Sequence, residues 1–298
     1  MSVMDWLINH PRVVISTMTA LLVAGSTIAM SRKHINVARA RQQKTSNTDM
    51  ELLMMGMSAM TYRLHDRVLK IVRIDKDEAE ITQANVDAMR NEASVYSILG
   101  RHCRIAGCLY VSLTENLILL KYYPHGNLRD YMASSPTTIT STDRTNWARQ
   151  MIEGVAELHR NGVRHSDIRL DQWLVDDDRN ARLSDFNASG FDANERLGLA
   201  RTKALGLESM SHFMPRDPLE DSTVRSDLFA LGSALYELEV GGTPFAGEDD
   251  ETIEKRFEAG QFLDVEGLRF GVLIRGCWTG SFDTAVYLLR AGEENCGL

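Results

Sequence analysis

The residues best suited to chemistry lie between Arg164 and Asn187. Asp167 stands in Arg164-His165-Ser166-Asp167-Ile168-Arg169-Leu170-Asp171-Gln172, and Asp185 in Leu183-Ser184-Asp185-Phe186-Asn187. A base and a metal ligand delivered together by a short connection are what phosphoryl transfer needs. Arg169, two residues after Asp167, brings a guanidinium that can stabilise transferred-phosphate charge. Gln172 follows five residues after Asp167 with a side-chain amide. Taken singly, an aspartate is a common turn residue. Two of them around a histidine, an aromatic and a hairpin make that reading insufficient.

Other elements must hold this stretch. Trp173-Leu174-Val175, a polar turn and the return at Leu183 read as a short hairpin flanked by the two aspartates. Upstream, Met50 to Ile74 alternates short apolar runs with turn chemistry at His65-Asp66, which predicts strands ending in Arg67-Val68-Leu69-Lys70-Ile71-Val72. Lys70 therefore faces opposite to Leu69 and Ile71. From about Ile81 to Leu99 the apolar spacing is helical, with Val86, Met89, Ala93 and Tyr96 on one face and Gly100 as a stop. Cys108–Val111 and Leu117–Leu120 read as two strands across a Thr114-Glu115-Asn116 turn. After Tyr122-Tyr123-Pro124-His125-Gly126-Asn127 the chain turns mainly helical. Ser141-Thr142-Asp143 can cap a helix carrying Trp147, Met151, Val155 and Leu158. Ser226 can cap another through Leu238, apolar on most sides and so expected at the centre of a helical lobe.

Composition bounds the partners. The 298 residues are 44% hydrophobic and 25% charged, which suits a globular chain. The net charge is −8, but residues 1–45 carry +5 and the remainder −13. An acidic body argues against nucleic acid as the main partner. Cys103, Cys108, Cys277 and Cys296 have no metal-ligand or redox spacing, so free thiols are expected.

The order of these pieces carries a resemblance. Strand-borne Lys70, helix-borne Glu92, a connector, His165-Ser166-Asp167, Asp185-Phe186-Asn187, Met214-Pro215-Arg216 and Asp227 follow one another as in a eukaryotic-type protein kinase domain, of a divergent kind associated with fungi. The resemblance implies an α+β bilobal fold: a small β-rich lobe at about 46–121, a hinge at 121–127 and a helical lobe at 128–298. It implies ATP and Mg²⁺ as cofactors and a protein hydroxyl as substrate, serine or threonine before tyrosine. Lys70 would bind phosphates and pair with Glu92, a residue that alone would read as a solvated helix glutamate. Asp167 would be the catalytic base, and Asp185 and Gln172 the metal ligands. Leu120 would be the gatekeeper, and Lys121, Tyr122 and Tyr123 the hinge that meets adenine. Gly56 and Ser58 would cover the phosphates in a loop with one glycine where the family pattern has three.

Several positions depart from the family pattern. Ser166 replaces the arginine that reads a phosphorylated activation segment, so that switch is expected to be absent, and Thr202, Ser209 and Ser211 would be inert as phosphosites. Gln172 replaces asparagine with a side chain one methylene longer. Asn187 replaces a glycine, where asparagine best tolerates a positive φ. Arg216 replaces the glutamate of Ala-Pro-Glu, and Gly280-Ser281-Phe282-Asp283 stands where its distant arginine partner is expected, so both members of that pair are gone. Asp227 resembles the buried aspartate that anchors the catalytic loop.

Val13 to Met30 is an apolar run of eighteen residues followed by Arg32-Lys33 and further basic residues. It reads as a short single-pass anchor with the kinase-like body facing the cytoplasm. A cleaved signal peptide, a mitochondrial targeting segment or a disordered leader are the competing readings. Three functions compete for the body: an active protein kinase, a nucleotide-binding pseudokinase scaffold, and a small-molecule phosphotransferase. The long segment from Asp185 to Pro215 argues against the last.

Overall fold

The computed structural model describes residues 50–204 and 206–298. The apolar run Val13–Met30 and the linker after it lie outside the described residues. Among the described residues, no helix is long and apolar enough to cross a membrane.

The first lobe is a five-stranded antiparallel sheet with one long helix. Strands β1 (Met50–Met55), β2 (Ala59–Leu64), β3 (Arg67–Val72), β4 (Cys108–Ser112) and β5 (Leu117–Lys121) lie in the order β1-β2-β3-β5-β4. The β2–β3 hairpin turns on His65-Asp66, with His65 at φ 55°. Alternation along β3 sorts its side chains. Leu69 packs with Leu117, beside Ile71 and Leu119, while Lys70 is buried towards the opposite face. Helix α1 (Ala79–Leu99) buries Met89, Glu92, Ala93, Val95 and Tyr96. It begins two residues before the expected start. Asp75 accepts from the amides of Asp77 and Glu78, and Thr82 bonds back to Asp75, so side chains outside the apolar pattern set the start. Gly100 ends the helix at φ 63°.

The second lobe is helical. It contains α2 (Leu128–Ser134), α3 (Ser141–Arg160), α4 (Val224–Val240), α5 (Asp250–Glu258), α6 (Gly271–Thr279) and α7 (Ala285–Asn295). Small ladders β6 (Val163–Arg164) with β9 (Gly190–Phe191), and β7 (Trp173–Val175) with β8 (Ala181–Leu183), carry the loops of interest. Two caps sit earlier than the sequence reading placed them. Thr140, not Ser141, caps α3 in a capping box with Asp143, and Thr223, not Ser226, caps α4 in a box with Ser226. Ser226 lies one turn inside, where it supports the cap instead of forming it, while Ser141 is the first helical residue and Asp143 completes the Thr140 box. Helix α4 is buried on most faces and packs against α6 and α3. Trp147, Met151, Val155 and Leu158 of α3 are buried as expected.

One apolar core runs through both lobes, from Met89, Tyr96 and Ile118 to Trp173, Leu228 and Trp278. Phe186 is fully buried within it, 5.1 Å from the Tyr96 ring and 5.3 Å from the His165 ring, both edge-on. It therefore ties α1 to the loop that carries Asp167. The fold is the α+β two-lobed arrangement that the sequence predicted.

Candidate active site

Asp167 and Asp185 are placed by the β7–β8 hairpin. Trp173 pairs with Leu183, so the chain leaving Asp167 returns beside it at Asp185. Ser184 closes the open end by donating its amide and its hydroxyl to the Gln172 carbonyl, each at 2.9 Å. His165 Nε2 lies 3.0 Å from the Ser184 carbonyl and binds the same two strands of chain together.

Asp227 anchors this arrangement from α4. Its carboxylate accepts from the amides of His165 (2.8 Å) and Ser166 (3.0 Å) and lies 2.9 Å from His159 Nε2. Burial works to raise its pKa, but these donors hold it below the ordinary aspartate value. The anchoring is needed because Ser166 sits at φ 61° and Asp185 at φ 63°, a region that costs a non-glycine residue about 1–3 kcal/mol unless its surroundings fix it. The positive φ expected at Asn187 is not there. It falls on Asp185, and Asn187 has ordinary backbone and points its amide nitrogen to Ser58 Oγ at 3.4 Å.

Lys70 sits between two carboxylates. Its Nζ is 2.7 Å from Glu92 Oε2 and 2.6 Å from Asp185 Oδ1, and Lys70 and Glu92 are almost fully buried. Burial alone would lower the lysine pKa, but the two acids outweigh it and hold the ammonium charged. Burial pushes Glu92 up, against the pull of Lys70. Burial also acts to raise Asp185, and Lys70 overrides it, keeping that carboxylate ionised. α1 is thus in the position where strand, helix and Asp185 meet on one cation.

Asp167 lies in a different environment. Burial is the main effect on it, opposed by Arg169 and reinforced by Asp185, and its pKa is pushed up to about 7. Arg169 Nε is 3.2 Å from Asp167 Oδ1 and 3.7 Å from Asp171 Oδ2. Gln172 donates through Nε2 to Asp167 Oδ2 at 2.5 Å. The six residues thus form two contact groups, Lys70 with Glu92 and Asp185, and Asp167 with Arg169 and Gln172, near enough for the Asp185 charge to raise Asp167.

The remaining predicted positions border it. Gly56 donates its amide to Ala59, where an added Cβ would stand 3.2 Å from the Ala59 carbonyl. Ser58 presents its hydroxyl to Asn187 and its carbonyl to Arg73. In the hinge, Lys121 donates its amide to Gly107, Tyr122 donates to Asp66, and the Tyr123 phenol accepts from the Gly107 amide. The hinge backbone is held from both flanking strands, and the buried Tyr123 ring is part of that support. Leu120 is buried at the end of β5.

Four participants were not legible in the sequence. Asn91, next to Glu92, reaches the backbone of residues 186–189. Arg129 of α2 bridges Asp171 (3.1 Å) and Glu237 of α4 (2.7 Å). Arg216 is the clearest addition. Standing where the family pattern has a glutamate, it pairs with Glu208 at 3.0 Å, both side chains nearly fully buried, and donates to Ser222. Arg225 lies against Gly280, where an added Cβ would meet its guanidinium, and donates to the carbonyls of Cys277 and Trp278. Each partner lies in another element, and helix- or loop-borne arginines and acids carry no local signal of such pairing.

Among the described residues no group of three or more His, Cys, Asp or Glu side chains is placed to hold a metal by itself. Mg²⁺ does not require one, because it is commonly bound by one or two carboxylates with phosphate oxygens and water. Asp185, ionised and partly open to the cleft, fits that role.

Comparison with known proteins agrees with this geometry. A family model described as protein tyrosine and serine/threonine kinase matches residues 59–283. Human NUAK family SNF1-like kinase 1 is 26% identical over 204 residues, 68% of this chain and 30% of the relative, and the mouse protein is 28% identical over 206. Maternal embryonic leucine zipper kinase of Xenopus tropicalis is 26% identical over 190 residues, 62% of this chain and 27% of the relative. The chain spans less than a third of the length of these curated relatives. The family match covers most of the chain and both lobes, and this chain belongs to the protein tyrosine and serine/threonine kinase family.

Proposed function

We propose that this protein is an active ATP- and Mg²⁺-dependent kinase that phosphorylates serine or threonine hydroxyls of proteins. The observation that supports it best is the Lys70–Glu92–Asp185 cluster, assembled at 2.6–2.7 Å beside Asp167. Asp167 orients the substrate hydroxyl and accepts its proton as the oxygen bonds to the γ-phosphorus. The bond from that phosphorus to the β-phosphate oxygen breaks, and ADP leaves. Lys70, kept charged by Glu92, holds the nucleotide phosphates. Arg169 stabilises charge on the phosphoryl group in transfer and keeps the Asp167 carboxyl from rising further. Asp185, with the Gln172 amide oxygen, would hold a metal ion, which when bound would neutralise phosphate charge. Gly56 and Ser58 cover the phosphates, and Lys121, Tyr122 and Tyr123 supply the hinge. Anchorage through Val13–Met30, with the catalytic body in the cytoplasm, belongs to the same reading.

The Gln172–Asp167 hydrogen bond favours a second reading. A donor at 2.5 Å on the catalytic carboxylate occupies one of its oxygens, as a nucleotide-binding scaffold could tolerate. Phosphotransfer from radiolabelled ATP by wild type and Asp167→Ala, with a thermal-shift titration of ATP with and without Mg²⁺, separates the two. Activity that survives unchanged in Asp167→Ala sinks the kinase reading. A large Mg²⁺-dependent shift counts against the scaffold.

A further inference from the structure

At the start of the activation segment, residues 186–192, unmodified side chains hold the backbone carbonyls of residues 186–189, and backbone hydrogen bonds hold Phe191 and Asp192. Four successive carbonyls are occupied. Asn91 Nδ2, on α1, lies 2.5 Å from the Ser189 carbonyl, 3.3 Å from that of Asn187 and 3.4 Å from that of Phe186. An amide nitrogen has two hydrogens, so the Ser189 bond is the strong one and the other two share what remains. The fourth carbonyl, Ala188, accepts from Ser166 Oγ at 2.7 Å. Ser189 Oγ donates in turn to the His165 carbonyl at 3.2 Å. Asn91 leaves its own Oδ1 buried without a partner, so its orientation is decided by the carbonyls it grips.

Two further contacts continue the hold. Arg164 Nη1 lies 2.7 Å from Asp192 Oδ1, and the Asp192 amide donates to Gly162. Phe191 exchanges both backbone hydrogen bonds with Thr202, and at Gly190 a Cβ would collide with the Ala204 amide at 2.5 Å. The position expected to carry a phosphate-reading arginine thus carries a hydroxyl that binds the segment directly. A carboxylate of the chain, Asp192, already meets the nearby arginine.

We propose that Asn91 and Ser166 are positioning residues that lock residues 186–192 in place, so that Asp185 and Glu92 stay on Lys70 without phosphorylation of the activation segment. Asn91 is the link between lobes: it sits beside Glu92 on α1 and holds the segment that begins with Asp185. When that segment moves, α1 and its glutamate move with it. The arm of the test that reads catalysis rests on the kinase reading above; the arm that reads the lock does not.

The full chain is treated with phosphatase and its intact mass taken to confirm that it carries no phosphate. Hydrogen exchange of residues 186–192 is then followed in wild type, Asn91→Ala, Asn91→Asp and Ser166→Ala, with phosphotransfer to a peptide library in parallel. The expected result is a protected segment in unphosphorylated wild type, and exchange about tenfold faster in each variant, the scale of one net hydrogen bond. Asn91→Asp keeps the side-chain shape and loses the donors, so it is expected to match Asn91→Ala even if the alanine variant folds poorly. kcat is expected to fall about tenfold and KM for ATP to rise with it, because Glu92 and Asp185 leave Lys70 in a larger share of molecules. Protection without any phosphotransfer supports the lock and overturns the kinase reading. Phosphatase treatment that speeds exchange or lowers kcat more than about tenfold overturns the lock, and so does an Asn91→Asp variant that exchanges like wild type.

Discussion

Replacing Arg216 with methionine gives the sharpest stability test of this structure. The side chains of Glu208 and Arg216 are 1% and 5% exposed, and two guanidinium contacts to the carboxylate run at 3.0 and 3.1 Å. Removing one member of such a buried pair costs about 3–5 kcal/mol, because the other is left charged and dry. At about 2–4 °C per kcal/mol for a domain of this size, the melting temperature should fall by roughly 10 °C. The loss should also depend on pH. Burial is the main influence on Glu208 and pushes it from 4.5 up to about 7 even with Arg216 beside it. A carboxyl raised on folding keeps a proton that the unfolded chain releases, so its stability contribution falls as pH rises from the unfolded value to the folded one. In wild type that fall ends near pH 7. Without Arg216 the folded value rises further, and the decline continues above pH 7. Melting curves of both proteins at pH 6, 7, 8 and 8.5 read this directly. The gap between them should widen above pH 7 by up to about 1.4 kcal/mol per pH unit. Replacing both residues, Glu208→Met with Arg216→Met, should recover most of the loss. A gap that stays constant with pH, or a variant as stable as wild type, would refute the reasoning.

Two further outcomes follow from the catalytic cluster. Lys70→Met should cut phosphotransfer by about a hundredfold or more, on the scale of losing a preorganised phosphate-binding charge, and should also lower the melting temperature, because Glu92 and Asp185 would then face each other without a cation; retention of both properties would contradict the assigned role. With Asp167 near 7 through burial, kcat/KM should drop as pH falls below about 7, where the base takes up a proton. Arg169→Ala should move that acid limb upward by about one unit, a shift that allows for the exposure of Arg169, and a limb that stays put or moves down would show that Arg169 does not act on Asp167.

Much of the architecture was legible in the sequence because it rests on local periodicity. Alternation placed Lys70 opposite Leu69 and Ile71, and helical spacing placed Trp147, Met151, Val155 and Leu158 in the core. Cap positions slipped at Thr140 and Thr223, since Ser and Thr residues within one turn of each other offer equal cap chemistry and only the backbone dihedrals choose between them. The positive φ was expected at Asn187 and found at Asp185 and Ser166. The turn residue with the better propensity lost to the site that Asp227 and the Ser184–Gln172 bonds hold in place.

The sequence by itself carried the family, the two lobes and the residue types on which the proposed phosphoryl-transfer chemistry rests. Their types and order survive in any arrangement of the chain. Only the tertiary structure decided how those residues are kept in position. Lys70 meets Asp185 across 115 residues, Asn91 meets Ser189 across 98, and Glu237 meets Arg129 across 108. The sequence showed Arg216 in place of one member of an absent ion pair and Ser166 as a lost switch. In the structure Arg216 has another buried acid and Ser166 holds the segment itself. The physical reason is distance along the chain: hydrogen bonds and ion pairs act over a few ångströms, and only folding brings such partners that close.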